Sequence, residues 1–206
     1  MNEKETFGII AEENSIQQAV KSLNENGIEA FIAERGDEAK QMVLDMIPDN
    51  AEVMTMTSVT LDTLGISREI NEGERYNSVR QKLTSMSKES QGNEMQKMGA
   101  APDWVIGSVH AVTEDGKVII ASATGSQLPA YMYGSNHVIW VVGTQKIVEN
   151  LSEGMRRIQE YTFPLENERA MKAYGVGSGI NKIVTINKEV IPGRIKMIIV
   201  KEKLGF

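Results

Sequence analysis

Three short polar turns carry the residue types from which a small-molecule site is built. Ser58-Val59-Thr60-Leu61 offers two hydroxyls where a strand feeds a short helix. Gly125-Ser126-Gln127 lies inside the loop Ala123–Ala130, where glycine admits a close backbone approach and Pro129 suits a first helical turn. Gly143-Thr144-Gln145-Lys146 adds a hydroxyl and an ammonium after a run of apolar residues. The first N–H groups of a helix have no partner within it, and its dipole favours negative charge there. Strand, hydroxyl-rich turn and helix therefore suit a carboxylate or phosphate.

With Gly107 and Ser108 at the end of a further strand, the candidate ligand-binding set is Ser58, Thr60, Gly107, Ser108, Gly125, Ser126, Gln127, Gly143, Thr144 and Lys146. Glu114 is the candidate general base or nucleophile. His110 and His137 are alternative groups for proton transfer. Plainer readings stand beside each. Ser58 serves equally as an N-cap, Gly125-Ser126 as a capped turn and Lys146 as a surface lysine. Glu114 serves as a solvated residue on a hairpin tip, where Asp115-Gly116 already explains the turn.

Composition removes whole classes of chemistry. The 206 residues contain no cysteine, so disulfides, thiolate zinc sites, iron–sulfur clusters and a cysteine nucleophile are all excluded. Two histidines make a histidine-rich metal site improbable, and no cofactor or metal is expected. A formal net charge of -6 without a Lys/Arg block disfavours nucleic acid and anionic membranes. No apolar run reaches the roughly 18 residues of a membrane helix. The opening Met1–Ile10 lacks a basic segment followed by an apolar stretch, so a secretory leader is not expected and a cytoplasmic location is.

The elements that must position these turns alternate between strand and helix. Asn14 with Gln17 reads as an N-cap, and Ile16, Val20 and Leu23 give an apolar helical face that Gly27 ends. Ile28–Ala33 reads as a strand. Gly36-Asp37 opens a helix with Ala39, Val43 and Met46/Ile47 inside, and Pro48 stops it. Ala51–Thr57 is a strand, and the helix after Ser58 closes at Gly65. Glu69–Ala101 is polar and reads as solvated helices laid against one sheet edge, with Met86, Met95 and Met98 packing inward; a mobile lid or a partner-docking surface is the other reading of this section. Trp104–Ile106 is a buried strand. Val109–Thr113 and Lys117–Ala121 form a hairpin through Asp115-Gly116.

Val138–Val142 is apolar throughout, as a central parallel strand covered on both faces would be. Gly143–Lys146 is expected to open a helix capped by Thr144, its buried face being Val148, Leu151, Met155 and Ile158. Strands Lys182–Ile186 and Ile195–Val200 close the chain as a last hairpin around Pro192-Gly193. The expectation is one α/β domain over residues 1–206.

Several of these segments together resemble the LUD-domain family, which includes lactate-utilisation protein C. They are Ser58–Gly65, Ala111–Lys117, Ala123–Ala130, Val141–Val148 and Gly193–Phe206. The resemblance implies the three-layer α/β fold of glucosamine-6-phosphate deaminase, ribose-5-phosphate isomerase and CoA transferases. That fold has a mostly parallel sheet, here with β-hairpins and an N-terminal helical part. It implies a link to L-lactate oxidation beside iron–sulfur or flavin partner proteins. Relatives carry a cysteine-rich segment where this chain reads Tyr174–Lys182 without a thiol, so it resembles a cysteine-free branch.

Two functions follow. One is an accessory or ligand-binding component of L-lactate or organic-acid metabolism with an anion-binding cleft. The other is a small isomerase, CoA transferase or cyclo-ligase acting on a sugar phosphate or acyl-CoA. A structural homodimer is a third reading.

Overall fold

The computed structural model describes residues 6–206; the first five residues, part of the segment read for a leader, lie outside them. The chain begins with α1 (Glu13–Glu25), β1 (Glu29–Ala33), α2 (Gly36–Met46) and β2 (Glu52–Thr55). Short elements follow: α3 (Val59–Thr63), α4 (Ile66–Glu72), β3 (Asn77–Ser78), α5 (Val79–Thr84) and α6 (Lys88–Ala100). Next come β4 (Trp104–Gly107), β5 (Ala111–Thr113), β6 (Val118–Ser122), β7 (His137–Gly143) and β8 (Ile147–Val148). The last elements are α7 (Leu151–Arg157), α8 (Phe163–Tyr174), β9 (Lys182–Ile186) and β10 (Ile195–Val200).

Six strands form a wholly parallel sheet in the order β1-β10-β7-β4-β2-β3. Alternate residues of each strand face opposite sides, so a two-sided sheet needs apolar residues at every position. Val105, Val138, Trp140, Val142, Met197 and Ile199 pack with Ile16, Ala19 and Leu23 of α1 on one side. Ile106, Ile139, Val141, Ile198 and Val200 pack with Ala39 and Val43 of α2 and with Leu61, Ile66 and Ile70 on the other. A second sheet, β8-β5-β6-β9, shares the layer of α1. Its outer face, with Ala111, Ile119 and Val148, packs beneath Met155 of α7 and Ile158. The result is the expected three-layer α/β arrangement with a mostly parallel sheet.

Several local expectations are revised. Helix α1 starts a residue before Asn14, after an N-cap position held by Glu12 without a side-chain cap. Gln17 instead donates to Glu13. Gly143–Lys146 opens no long helix: Thr144–Lys146 is a single 3-10 turn that leads into β8. Helix α7 starts later, where Asn150 Oδ1 accepts the Glu153 amide at 3.1 Å. Leu151, at its first position, faces solvent.

The two final strands make no hairpin. β9 pairs antiparallel with β6, whereas β10 lies between β1 and β7 in the other sheet. Within the polar section, Asn77-Ser78 adds the edge strand β3, and α6 buries no residue fully; only Met98 packs against the core.

Candidate functional site

All strands of the large sheet are parallel, so their carboxyl ends share one rim, where open α/β sheets hold ligands. A cleft of about 1190 Å³ opens there. Its floor comes from the segments that follow β2, β4 and β7. Its walls come from α6 on one side and from α8 and the loop Gly177–Ile180 on the other.

Lys146 forms the floor and is 3% exposed. Its Nζ lies 3.0 Å from Ser108 Oγ, 3.3 Å from Thr60 Oγ1 and 3.1 Å from the carbonyl oxygen of Val109. Burial holds this amine well below the ordinary lysine range, and the nearby Arg157 guanidinium lowers it further; no carboxylate of the described residues acts on it. Ser108 and Lys146 reach one another by a shared route. Ser108 lies where the chain crosses from β4 to β5, and Lys146 where it crosses from β7 to β8. Both crossings pass from the large sheet to the small one. They start on the paired strands β4 and β7 and end on the paired strands β5 and β8.

Arg157, fully buried on α7, ties the two crossings together. Its Nε donates to the Gln145 carbonyl at 3.2 Å, and its Nη1 to the His110 carbonyl and to Thr162 Oγ1. Burial pushes the guanidinium down to about 10, and Nη2 has no hydrogen-bond partner. His110 lines the cleft, with its ring partly open to it. Burial first, then the charge Lys146 carries once protonated and that of the Arg157 guanidinium, depress it to about 3, so the ring is neutral at pH 7. Its Nδ1 accepts the Ala121 amide at 3.2 Å, which places the proton on Nε2.

The C-terminal segment locks the floor. The carbonyl of Leu204 accepts from Gln145 Nε2 at 2.8 Å and from Thr60 Oγ1 at 3.2 Å.

The cleft brings together Ser58, Thr60, Ser108, Gly125, Ser126, Gln127 and Lys146 from the sequence-derived set. Their roles differ from the expectation of free amides. The Gly125 amide donates to Ser122 Oγ at 2.8 Å and the Ser126 amide to Thr124 Oγ1 at 3.3 Å. The Gln127 side chain is engaged with Ser122 and the Ala121 carbonyl, and Ser58 Oγ caps α3 through the Leu61 amide.

Five sequence-predicted residues lie outside the cleft: Gly107, Gly143 and Thr144 of the ligand-binding set, Glu114 and His137. A Cβ on Gly107 would fall 1.7 Å from the Tyr131 hydroxyl, so this glycine makes room for packing. A Cβ on Gly143 would meet the Glu202 carbonyl and the Leu204 amide, each at 2.7 Å. Thr144 is wholly buried with an unpartnered hydroxyl and caps nothing. Glu114 sits on the hairpin turn, whose Asp115 and Gly116 carbonyls accept from Asn26 at the end of α1. His137, at the opposite end of β7, stacks on Trp104 with ring centroids 4.0 Å apart.

Sequence reading missed Arg157, although a signal exists. Arg156 finds Glu153 and Glu160 at helical spacing, whereas Arg157 falls on the apolar face with Gly154 and Ile158.

The LUD domain family model matches residues 16–200. The chain belongs to the LUD domain family. Membership places it among lactate-utilisation-related proteins in general. A crystal structure of a duf162 family protein from Deinococcus radiodurans is similar in fold, with a TM-score of 0.58 and 13% sequence identity. The match covers 93% of this chain and 99% of that one. No curated protein matches this LUD-domain chain significantly. Among the described residues no helix is long and apolar enough to cross a membrane, and no cluster of three or more His, Asp or Glu could hold a metal ion.

Proposed function

We propose that this LUD-domain chain binds a small anionic metabolite in the cleft, within the organic-acid metabolism its family is linked with. One observation carries the reading: a lysine is buried at the cleft floor, with no carboxylate partner among the described residues. Burying an unpaired cation is costly, so burial favours the neutral amine while the site is empty, and an anion entering the cleft supplies the missing charge. Binding then takes up a proton at Lys146. The wider lining agrees: Arg169 is paired with Glu166, and Arg80 and Lys88 outnumber Asp62 in a protein of net charge -6.

Size narrows the ligand class. Ordinary small-molecule sites span about 300–1,000 Å³. A cleft of about 1190 Å³ is far more than lactate fills, which favours a larger anion such as a sugar phosphate or an acyl-CoA.

Titration calorimetry with sugar phosphates, hydroxy acids and CoA esters tests this in two buffers of different ionisation enthalpy. The expected result is binding with proton uptake, lost in Lys146→Met and retained in Glu114→Gln. Binding that survives Lys146→Met unchanged would overturn the assignment.

A further inference from the structure

Lys146 Nζ and Ser108 Oγ meet at the cleft floor, 3.0 Å apart. The carbonyl of Val109 can only accept, so it takes one N–H from Nζ. The Thr60 hydroxyl spends its proton on the Leu204 carbonyl, so toward Nζ it also accepts. A neutral amine has two N–H donors and one lone pair. Both donors are now assigned, and the lone pair is left for Ser108 Oγ at 3.0 Å. Ser108 lines the cleft, so a molecule bound there meets its oxygen. A protonated ammonium would donate to all three partners instead. Its burial beside Arg157 without a carboxylate disfavours that form.

We propose that Ser108 is a nucleophile and Lys146 its general base, giving the cleft an acyl-transfer activity on an ester or thioester. The proposal rests on the cleft being the ligand site and names the substrate class it takes. In the first step Ser108 Oγ attacks the carbonyl carbon as its proton passes to Lys146 Nζ. The alcohol or thiol leaves, taking that proton from the ammonium, and an acyl-serine remains. Water, deprotonated by the again neutral Lys146, attacks the acyl carbon, and Ser108 departs with the proton returned. The net change is hydrolysis of one ester or thioester to a carboxylic acid and an alcohol or thiol. Lys146 serves as base while its amine is neutral, the form that burial favours and that an uncharged ester or thioester carbonyl meets beside Ser108; the proton is taken up for good only when an anion rests on the amine. Arg157 acts as a positioning residue, holding the carbonyls of His110 and Gln145 that flank the pair in sequence.

A fluorophosphonate probe tests the pair without needing the natural substrate: Ser108 attacks phosphorus, fluoride leaves, and the hydroxyl proton goes to Lys146. Intact-mass and peptide mass spectrometry of the full chain should show one adduct on Ser108. The adduct should be absent in Ser108→Ala, and its rate should fall at least about 100-fold in Lys146→Met. The wild-type rate should rise with pH through one ionisation well below the ordinary lysine range and then level off. A thermal melt of each variant confirms folding; if Lys146→Met does not fold, the wild-type pH profile and Ser108→Ala decide.

No adduct on Ser108 between pH 6 and 10, or equal rates in folded Lys146→Met, would overturn the proposal. The anion reading fails separately. Anion binding without labelling removes the nucleophile and keeps the ligand site. Labelling without anion binding supports the nucleophile and removes the anion.

Discussion

Replacing Lys146 with methionine isolates the energetics on which the site rests. The amine, which burial holds well below its ordinary range in the folded chain, becomes an ordinary lysine on unfolding, with an unfolded value near 10.4. Between the depressed folded value and that figure, the unfolded state binds one more proton than the folded state. Stability at this residue therefore rises with pH, by about 1.4 kcal/mol per pH unit, and the gain is complete only above the unfolded value.

Methionine removes the slope and costs little else. Thr60 keeps its bond to Leu204, and Ser108 faces the cleft and its water. The Val109 carbonyl alone loses a buried partner, at about 1–3 kcal/mol, offset by loss of the amine's desolvation and of its repulsion with Arg157. Urea denaturation at pH 7, 8 and 9 measures both quantities. Wild type should gain roughly 3 kcal/mol relative to Lys146→Met across those two units, provided the folded amine is neutral throughout. Parallel stability curves would mean that Lys146 is charged in the folded protein, and the reasoning about the cleft floor would collapse.

Three further outcomes are expected. Arg157→Met should destabilise by about 2–4 kcal/mol in urea titration, because it strands the buried carbonyl of Gln145 and the half-buried carbonyl of His110. His110 is depressed to about 3 in the folded chain and titrates near 6.5 when unfolded, so wild type should lose stability as pH falls below 6.5. His110→Gln should flatten the melting-temperature slope between pH 6.5 and 5, a window above most carboxylate titration. Gly107→Ala forces a methyl into the Tyr131 hydroxyl and should cost about 1–3 kcal/mol, read as a lower urea midpoint.

Strands that are buried on both faces were legible because their environment demands apolar residues without interruption. Val138–Val142 and Ile195–Val200 are of this kind. The Asp115-Gly116 turn was legible because its glycine adopts a φ of 78°. Short elements were not. Asn77-Ser78 joins the sheet through two residues that carry no strand propensity of their own. The start of α7 misled because Thr144 and Asn150 are both capping types. Asn150 alone has a glutamate three residues on, the sequence mark of a helix start.

Within the site, local pattern pointed to the turns but not to what their atoms do. The amides of Gly125 and Ser126 are consumed by neighbouring hydroxyls, a pairing that depends on loop conformation. The partners of Lys146 come from 86, 38 and 37 residues away, beyond any spacing argument.

The side-by-side crossings between the two sheets divide labour within the cleft. If the sheets slide against one another, Ser108 and Lys146 travel together, because each rides a segment anchored at both ends to hydrogen-bonded neighbours. Helix α6 has no such anchorage: none of its residues is fully buried, yet Lys88, Met95 and Gln96 face the same hollow. Selectivity can thus drift along that outer palisade, one exposed residue at a time, while the amine and the hydroxyl beneath it keep their spacing.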